Sequence, residues 1–192
     1  MGCDTLTVWS VYNQGMGTQS DVFSRVVNST TVDFESVYET ELPRIYNYFR
    51  YRVGDEQIAE DLTAETFEKA WRNRARYRAD LASFTTWLFA LARRVAADHY
   101  RRRRPTVHLD EMSLISDRQG TEAEAQERAE FAQLANLLAR LADRERELVA
   151  LKYGAGLTNR AIARLTGVSE TNVSTILSRV TAQLRAQWKD EA

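Results

Sequence analysis

Four consecutive arginines, Arg101 to Arg104, form the densest block of charge in the sequence, and Pro105 follows them directly. Guanidinium groups bind phosphate and carboxylate oxygens through paired hydrogen bonds, so such a block is suited to a polyanion. Residues 71–104 carry ten arginines against two aspartates, a net charge of +8, although the whole chain has a net charge of −1. Segregation this strong favours a nucleic acid over an ordinary solvated helix face.

The rest of the charge is also arranged in blocks. Residues 33–70 have a net charge of −6, residues 105–130 of −5 and residues 131–192 of +3. Two basic zones separated by an acidic stretch predict two anion-binding modules joined by a linker.

A second set of residues with recognisable chemistry lies in "LTNRAIARLTGVSETNVSTILSRV", residues 157–180. Thr158 and Ser169 can each cap a helix, and Gly167 between them tolerates the backbone of a tight turn. The small and apolar positions that lock such a pair of helices are filled by Ala163, Val173, Ile162, Val168 and Ile176. The pattern predicts a helix-turn-helix, with an ordinary helical hairpin as the alternative.

The second helix of this motif would turn a polar face toward the major groove of DNA. The residues assigned to that face are Glu170, Thr171, Asn172, Ser174, Thr175 and Arg179, and Arg160 on the preceding helix is assigned to the same contact. An asparagine such as Asn172 can bond adenine bidentately, whereas Arg179 is better placed for phosphate.

The elements that must position these residues all read as helices. Apolar residues recur at three- and four-residue steps, and we see no alternating strand pattern. We predict helices over 33–52, after a turn and cap at Gly54-Asp55, from Thr85 toward Tyr100, over 122–141, and at about 143–153, 158–165 and 169–187. Asp33 is a candidate N-cap for the first helix, and Pro43 predicts a bend or break within it.

The predicted fold class is all-α, with two small helical domains joined by a flexible acidic linker, the second containing the helix-turn-helix. We assign residues 1–32 to a mobile N-terminal extension, 33–104 to the first domain, 105–130 to the linker and 131–192 to the second domain.

Several function classes are disfavoured. Cys3 is the only cysteine and the two histidines, His99 and His108, have no metal-binding spacing, so we expect no metal, no other cofactor and no catalytic activity. The Asp98-His99 pair is interpreted as a helix-surface feature. With no apolar run long enough to span a bilayer and no secretory signal, we expect a cytoplasmic protein without membrane insertion.

Two stretches resemble a known family. Residues 60–105, "EDLTAETFEKAWRNRARYRADLASFTTWLFALARRVAADHYRRRRP", resemble region 2 of bacterial RNA polymerase sigma factors. Residues 141–185, "LADRERELVALKYGAGLTNRAIARLTGVSETNVSTILSRVTAQLR", resemble region 4. A chain with only these two regions resembles the extracytoplasmic-function (ECF) group of the sigma-70 family.

This resemblance implies binding to core RNA polymerase, through the coiled coil of the β′ subunit and through the β subunit. The positions that match the β′ contact are Asp61, Glu65, Thr66, Phe67 and Lys69, while Ala64 stands where the family usually has glutamine. An acidic face on a protein that sits beside DNA fits a basic protein partner.

The resemblance also implies that the first domain opens and reads the −10 promoter element. The matching residues are Arg74, Arg76, Tyr77, Arg78, Ser83, Phe84, Arg93, Arg94, Arg101, Arg102, Arg103 and Arg104. Cations along a backbone and flat groups for unstacked bases are the chemistry this requires. Trp87 is interpreted as core, and Phe84 is open between core and base contact.

The second domain is then expected to read the −35 element. Related proteins often carry Lys or Arg where this chain has Ser174, Thr175 and Ile176, so the family's usual −35 sequence is not transferred. In related sigma factors the acidic linker threads toward the active-site and RNA-exit channels, which Asp110, Glu111 and Asp117 would suit, but a plain spacer explains it equally well.

The function implied is a sigma factor that binds core polymerase, recognises −10 and −35 elements and helps melt promoter DNA. Many relatives are held inactive by an anti-sigma factor, so the resemblance leaves an anti-sigma factor as a further candidate partner of this chain. The alternative is a stand-alone helix-turn-helix regulator that does not bind core polymerase.

Overall fold

The computed structural model describes residues 34–103 and 121–191, and the helices within those ranges confirm the all-α prediction. Seven α-helices occur in the described ranges: α1 (Phe34–Val53), α2 (Glu56–Arg72), α3 (Phe84–Arg103), α4 (Glu122–Ala139), α5 (Asp143–Val149), α6 (Asn159–Thr166) and α7 (Glu170–Glu191). A 3₁₀ turn at Arg74–Arg76 follows α2, and a π-helical turn at Ala150–Gly154 continues α5. From Ser36 onward, the residues that the structure describes form one compact unit.

Three predictions fall on residues outside the described ranges. These are the mobile extension over 1–32 with its N-cap Asp33, the end of α3 at Pro105, and the flexible linker over 105–120. A described helix begins at Glu122, inside the segment 105–130 that we assigned to the linker.

We predicted a bend or break at Pro43; helix α1 is continuous through this residue, so the break is wrong, while the bend stays a prediction. The pyrrolidine ring is exposed, and a solvent-facing proline leaves the carbonyl of Glu39, its would-be acceptor, where water can hydrate it. The helix is stabilised next to the proline, because Arg44 bonds both carboxylate oxygens of Glu41 at 2.9 Å. Thr85 of α3 donates to the same Glu41 carboxylate at 2.6 Å.

The turn between α1 and α2 follows the local sequence. Gly54 has φ 77°, a left-handed conformation that glycine adopts without strain. Asp55 then caps α2, because its carboxylate accepts the backbone N–H of Ile58 at 2.8 Å.

Helices α1, α2 and α3 share an apolar core. Tyr48 and Phe49 of α1 are fully buried, and the ring of Tyr48 meets Phe89 of α3 edge-on at 6.0 Å. Tyr38 likewise meets Phe67 of α2 at 4.7 Å. The other buried apolar residues of these helices are Ile45, Ala59, Leu62, Ala70, Phe84, Leu88, Ala92, Val95 and Ala96.

The helix-turn-helix is confirmed in α6 and α7. Thr158 accepts the N–H of Ala161 at 3.2 Å and Ser169 accepts that of Asn172 at 3.3 Å, so both predicted caps form. Gly167 ends α6 with φ 72°. The residues that lock the two helices are Ile162, Val168, Val173, Leu177 and Val180, all buried, whereas Ile176 is half-buried.

The π-helical turn brings the second half of the chain against the first. A Cβ atom on Gly154 would lie 2.6 Å from the backbone oxygen of Asn47 in α1, so only glycine fits this contact. At the next residue Arg44 donates from Nε to the carbonyl of Ala155 at 2.9 Å. The turn is therefore part of a packed interface rather than a loop in solvent.

Candidate nucleic-acid and polymerase-binding surfaces

An acidic face lies on α2, where the resemblance placed the polymerase contact. Asp61 is exposed, and Glu65 pairs with Lys69 at 2.7 Å and with Arg102 of α3 at 3.4 Å. Partial burial raises the pKa of the Glu65 carboxyl, but the bond from Lys69 and the charge of Arg102 outweigh it, and the pKa is below its ordinary value. Glu65 is therefore an ionised group at the junction of the acidic helix and the arginine-bearing helix.

Two of the residues assigned to this contact are not on the surface, which corrects their assignment. Thr66 is fully buried and donates its hydroxyl to the carbonyl of Leu62 at 2.7 Å. Phe67 is 6% exposed and packs on Tyr38. Both side chains therefore stabilise the fold from inside: Thr66 through its internal hydrogen bond and Phe67 through its apolar contact with Tyr38. Asp61, Glu65 and Lys69 are the assigned residues that reach solvent.

The segment between α2 and α3 presents arginines that are ordered by internal bonds. Arg74 stacks on Trp71, with its Cζ 3.9 Å from the ring centre, and bonds the Trp71 carbonyl at 2.8 Å. Arg78 bonds both oxygens of Asp80, at 2.9 and 2.7 Å, which lowers the pKa of that carboxyl. Arg76 is exposed. The internal bonds hold Arg74 and Arg78 in place without a ligand. A phosphate that binds Arg78 must, however, compete with the Asp80 carboxylate.

An aromatic cluster supports this loop. Tyr77 lies 5.2 Å from Phe84 and 5.5 Å from Trp87, and its hydroxyl donates to the carbonyl of Ala82 at 3.1 Å. Phe84 is 9% exposed, so the structure places it in the core rather than free to stack on a base. Trp87, which we interpreted as core, is half-buried.

An open recess lies beside the cluster. Leu81, Ala82, Ser83 and Thr86 line it from the first half of the chain, and Arg164 of α6 lines it from the second. Leu81 is 74% exposed, the largest exposure among the large apolar residues of the described ranges. An apolar tip beside hydroxyl groups and a cation suits an unstacked base attached to a phosphate.

Helix α3 carries the assigned phosphate-binding arginines, and they differ in accessibility. Arg94, Arg101 and Arg102 are exposed, with Arg101 paired to Asp98 one turn earlier. Arg103 is the last residue of α3, and Arg104 lies outside the described residues.

Arg93, which we assigned to the −10 element, is half-buried, and its guanidinium is paired within the chain. Its Nε lies 2.8 Å from Oε1 of Glu147 in α5, and its Nη1 donates to the carbonyl of Leu165 in α6. The guanidinium is therefore bound by the second half of the chain, in the way that a phosphate would bind it.

The start of α7 carries the face assigned to the −35 element. Glu170, Thr171, Asn172, Ser174, Thr175 and Arg179 are all exposed. Arg160 of α6 lies 3.6 Å from Glu170, and Arg179 pairs with Glu145 of α5. The face is polar and open, as a groove-reading helix requires.

Three acids on α5 were missed by the sequence analysis. Asp143 bonds Arg52 at 2.6 Å, Glu145 bonds Arg179 and Glu147 bonds Arg93. Two of these partners are arginines that we had assigned to DNA. The alternation "DRERE" at 143–147 was the available signal, but only the fold shows which distant arginines the acids meet.

Within residues 34–103 and 121–191, no helix is long and apolar enough to cross a membrane. The same ranges contain no cluster of three His, Cys, Asp or Glu residues that could bind a metal ion.

Comparison with known families identifies both halves of the chain. The family model described as Sigma-70 region 2 matches residues 37–106, and the one described as Sigma-70, region 4 matches residues 131–184. Together they cover more than half of the 192 residues. The chain belongs to the sigma-70 family of RNA polymerase sigma factors, in its ECF group.

Curated relatives agree with this placement. The ECF RNA polymerase sigma factor BldN of Streptomyces coelicolor is 29% identical over 162 residues, which cover 83% of this chain and 61% of BldN. The ECF RNA polymerase sigma factor SigM of Bacillus subtilis is 26% identical over 155 residues, 80% of this chain and 94% of SigM. The chain thus matches under two thirds of the length of BldN and nearly all of SigM.

Solved structures share the fold. The sigma factor RpoE of Bartonella quintana, in complex with the anti-sigma factor NepR, aligns with a TM-score of 0.65 at 20% identity, over 82% of this chain and 97% of that one. CnrH, in complex with the cytosolic domain of CnrY, aligns with a TM-score of 0.59 at 22% identity, over 83% and 89%.

Proposed function

We propose that this protein is the sigma subunit that binds core RNA polymerase, recognises the −10 and −35 elements of a promoter and helps separate the DNA strands. The observation that supports this most is the presence of both sigma regions in one chain, in family order, with a complete helix-turn-helix in the second. The domain boundaries proposed above, 33–104 and 131–192, follow the same division.

The first domain has surface features suited to unpaired DNA. Arg94, Arg101 and Arg102 are exposed along α3, and the recess at Leu81 and Ser83 lies beside its first turn. In the proposed complex the arginines bind the phosphates of one strand, and the recess receives a base that has left the stack. Such a division between backbone cations and a base site is typical of single-strand recognition.

The second domain would read duplex DNA. Asn172 and Ser174 are exposed near the N-terminus of α7, where a helix laid in the major groove contacts base edges. Ser174, Thr175 and Ile176 carry no charge, so this helix contributes few phosphate contacts of its own, and we expect weak binding by the isolated protein.

Core polymerase is the proposed partner of the α2 face. Asp61, Glu65 and Lys69 expose charge there, and Lys69 and Arg102 hold the pKa of the Glu65 carboxyl below its ordinary value, so that this group is ionised at neutral pH. An anti-sigma factor is a second proposed partner, supported by the structurally similar RpoE, which was solved in complex with the anti-sigma factor NepR.

The test is co-elution with sigma-free core RNA polymerase on a size-exclusion column. We expect the wild type to co-elute and the Asp61→Lys/Glu65→Lys variant to elute alone, because two reversed charges repel the basic partner. Glu122→Lys/Glu127→Lys, which reverses two exposed acids on α4, is the matched control and should co-elute.

Thermal unfolding of both variants checks that the chain is intact, since Glu65 also pairs with Lys69. If the wild type elutes alone while still binding duplex DNA, the sigma assignment fails and the stand-alone regulator replaces it.

A further inference from the structure

A buried carboxylate of α1 bonds the first turn of α3, the turn that carries part of the recess. Glu41 is 5% exposed, and its Oε1 accepts the hydroxyl of Thr85 at 2.6 Å. Nη1 of Arg44 bonds both oxygens of the same carboxylate at 2.9 Å. A carboxylate that accepts three bonds from two neighbours is fixed in orientation, and the arginine balances its charge.

Stability alone is a poor reason for burying this carboxylate. An ion pair loses its hydration when it is buried, and it often stabilises a protein no better than an apolar pair of the same size. A hydrogen bond adds direction, because it is strong only when donor and acceptor are aligned. The apolar contacts of Phe84 and Leu88 in α3 have no such direction. The bond from Thr85 to Glu41 therefore restricts how the first turn of α3 is rotated against α1.

That first turn carries two hydroxyl groups of the recess. Ser83 caps α3, because its carbonyl accepts the N–H of Trp87 at 3.1 Å and its hydroxyl accepts the N–H of Thr86 at 3.3 Å. The hydroxyl oxygens of Ser83 and Thr86 are bonded to each other at 2.9 Å, and both residues line the recess. Since Thr85 lies between them in the chain, a shift of Thr85 displaces both hydroxyl groups.

The electrostatics of the turn also favour a carboxylate at this place. The N-terminus of a helix carries partial positive charge, which an acid in the first turn usually complements. Helix α3 has no acid in its first turn, and Glu41 supplies one from α1. Because Arg44 pairs with Glu41, the carboxylate adds no net charge beside a surface that must receive phosphate.

A second hydroxyl bond joins the same two helices far from the recess. Tyr100, near the end of α3, donates its hydroxyl to the carbonyl of Arg52 in α1 at 2.6 Å. Thr85 and Tyr100 are about 22 Å apart along the helix, at about 1.5 Å per residue. The two bonds are of the same kind, but only the one at Thr85 lies beside the recess.

We infer that Glu41 is a positioning residue for the candidate base site: through Thr85 it fixes the first turn of α3, so that the recess has its shape before a base arrives. The inference rests on the function proposed above, because it deepens the role given there to the recess. Glu41 acts through Thr85 and Thr86 rather than by touching DNA. A preformed site binds more tightly, because less order remains to be imposed on binding.

The bond can be removed from either side. Thr85→Val keeps the shape of the side chain and leaves Glu41 paired with Arg44, whereas Thr85→Ser keeps the hydroxyl and should restore the parent behaviour. In Glu41→Gln a single amide oxygen faces the donors of Thr85 and Arg44, so one of them loses its acceptor. The two routes differ, so a folding defect in one variant, seen by thermal unfolding, leaves the other informative.

Tyr100→Phe is the matched control. It removes the other hydroxyl bond between α1 and α3 and keeps the aromatic ring on which Arg52 lies. If loosening the two helices against each other were enough to disturb the recess, this variant would behave like Thr85→Val.

Binding is measured by fluorescence anisotropy of the full chain with two labelled single strands of equal length, an oligothymidylate and a strand made only of abasic sites. Both carry the same phosphates, so the ratio of their dissociation constants reports what the bases contribute. We expect the parent to prefer the oligothymidylate at least about fivefold, the low end for one stacked base. The preference should fall at least about threefold in Thr85→Val and Glu41→Gln, since each loses a bond to or from a charged group. Thr85→Ser and Tyr100→Phe should keep it.

An unchanged preference in Thr85→Val, an equal fall in Tyr100→Phe, or a Thr85→Ser variant that behaves like Thr85→Val would overturn the inference, as would a parent without preference. None of these measurements needs polymerase. A chain that shows the expected ratios and fails to co-elute with polymerase therefore rejects the proposed function alone. A co-eluting chain whose Thr85→Val variant keeps the parent preference rejects only the positioning role of Glu41.

Discussion

Tyr48 is a buried polar residue whose hydroxyl has no hydrogen-bond partner among residues 34–103 and 121–191. Burial raises the pKa of this phenol above its ordinary value near 10, and the neighbouring Glu147 carboxylate raises it further. A folded-state pKa that is raised means that the folded state keeps a proton which the unfolded state loses. The stability linked to that proton is complete below pH 10 and declines as the pH rises beyond it.

We therefore expect Tyr48→Phe to have two effects. At pH 7 the free energy of unfolding should rise by about 1 kcal/mol, because a buried unpaired hydroxyl is removed. Above pH 10 the wild type should lose about 1.4 kcal/mol more per pH unit than the variant, since only its unfolded state ionises at residue 48. Urea denaturation at pH 7, 10 and 11 measures both, and a variant that is less stable at pH 7 would show that the hydroxyl is bonded.

For single residues, the sequence predicts the hydrogen bonds whose two partners are close in the chain. The caps at Asp55, Thr158 and Ser169 form as expected, because each needs only a backbone N–H two or three residues away. The pairing of Arg93 was not predicted, because its partner is far away in the chain. Its partner Glu147 is 54 residues distant, and no local rule predicts that contact.

Among the elements, the turn of the helix-turn-helix depends most on one residue. Gly167 adopts φ 72°, and a Cβ placed there would have no heavy atom within 4 Å. Glycine is thus required at position 167 only because of its backbone conformation. At position 154 it is required because a side chain would collide with α1.

Gly167→Ala should lower the free energy of unfolding by about 1 kcal/mol, the cost of placing a side chain in the left-handed region. Urea denaturation measures this loss. Ser178→Ala, an exposed change within α7, is the control and should be neutral or slightly stabilising. Unchanged stability in Gly167→Ala would mean that the turn rearranges at no cost.

Helices were predictable as elements, and their irregularities were not. Apolar spacing located all of the described helices, and α4 extends over Glu122–Ala139 against a predicted 122–141. Pro43 was given too much weight, because its effect depends on whether the carbonyl it leaves unpaired faces water. The π-helical turn at Ala150–Gly154 follows from packing against α1, which periodicity does not contain.

For the whole molecule, the segregation of charge decides how DNA binding responds to salt. A net charge of −1 gives no general attraction to DNA, so local clusters of arginine, among them the one on α3, must supply the electrostatic part of binding. Counterion release then ties the salt dependence to the number of phosphates those arginines contact.

Replacing both Arg101 and Arg102 by alanine should reduce the slope of log affinity against log salt by about 1.4, at about 0.7 for each single-strand phosphate contact. Fluorescence anisotropy with a fluorescent single-stranded oligothymidylate, from about 50 to 200 mM salt, gives the slope. The Arg140→Ala/Arg144→Ala variant removes the same charge from the second domain and should retain the parent slope. Equal slopes in the two variants would remove α3 from the binding surface.

The aromatic cluster beside the loop has an optical consequence. Trp87 lies 5.1 Å from Phe84 and 5.5 Å from Tyr77, and the residue before it, Thr86, lines the recess, so its indole emission reports on the cluster that supports the recess. A base entering there would quench or shift the fluorescence with no added dye. Replacing the other three tryptophans, Trp9, Trp71 and Trp188, would leave this protein with a single intrinsic reporter at its candidate base site.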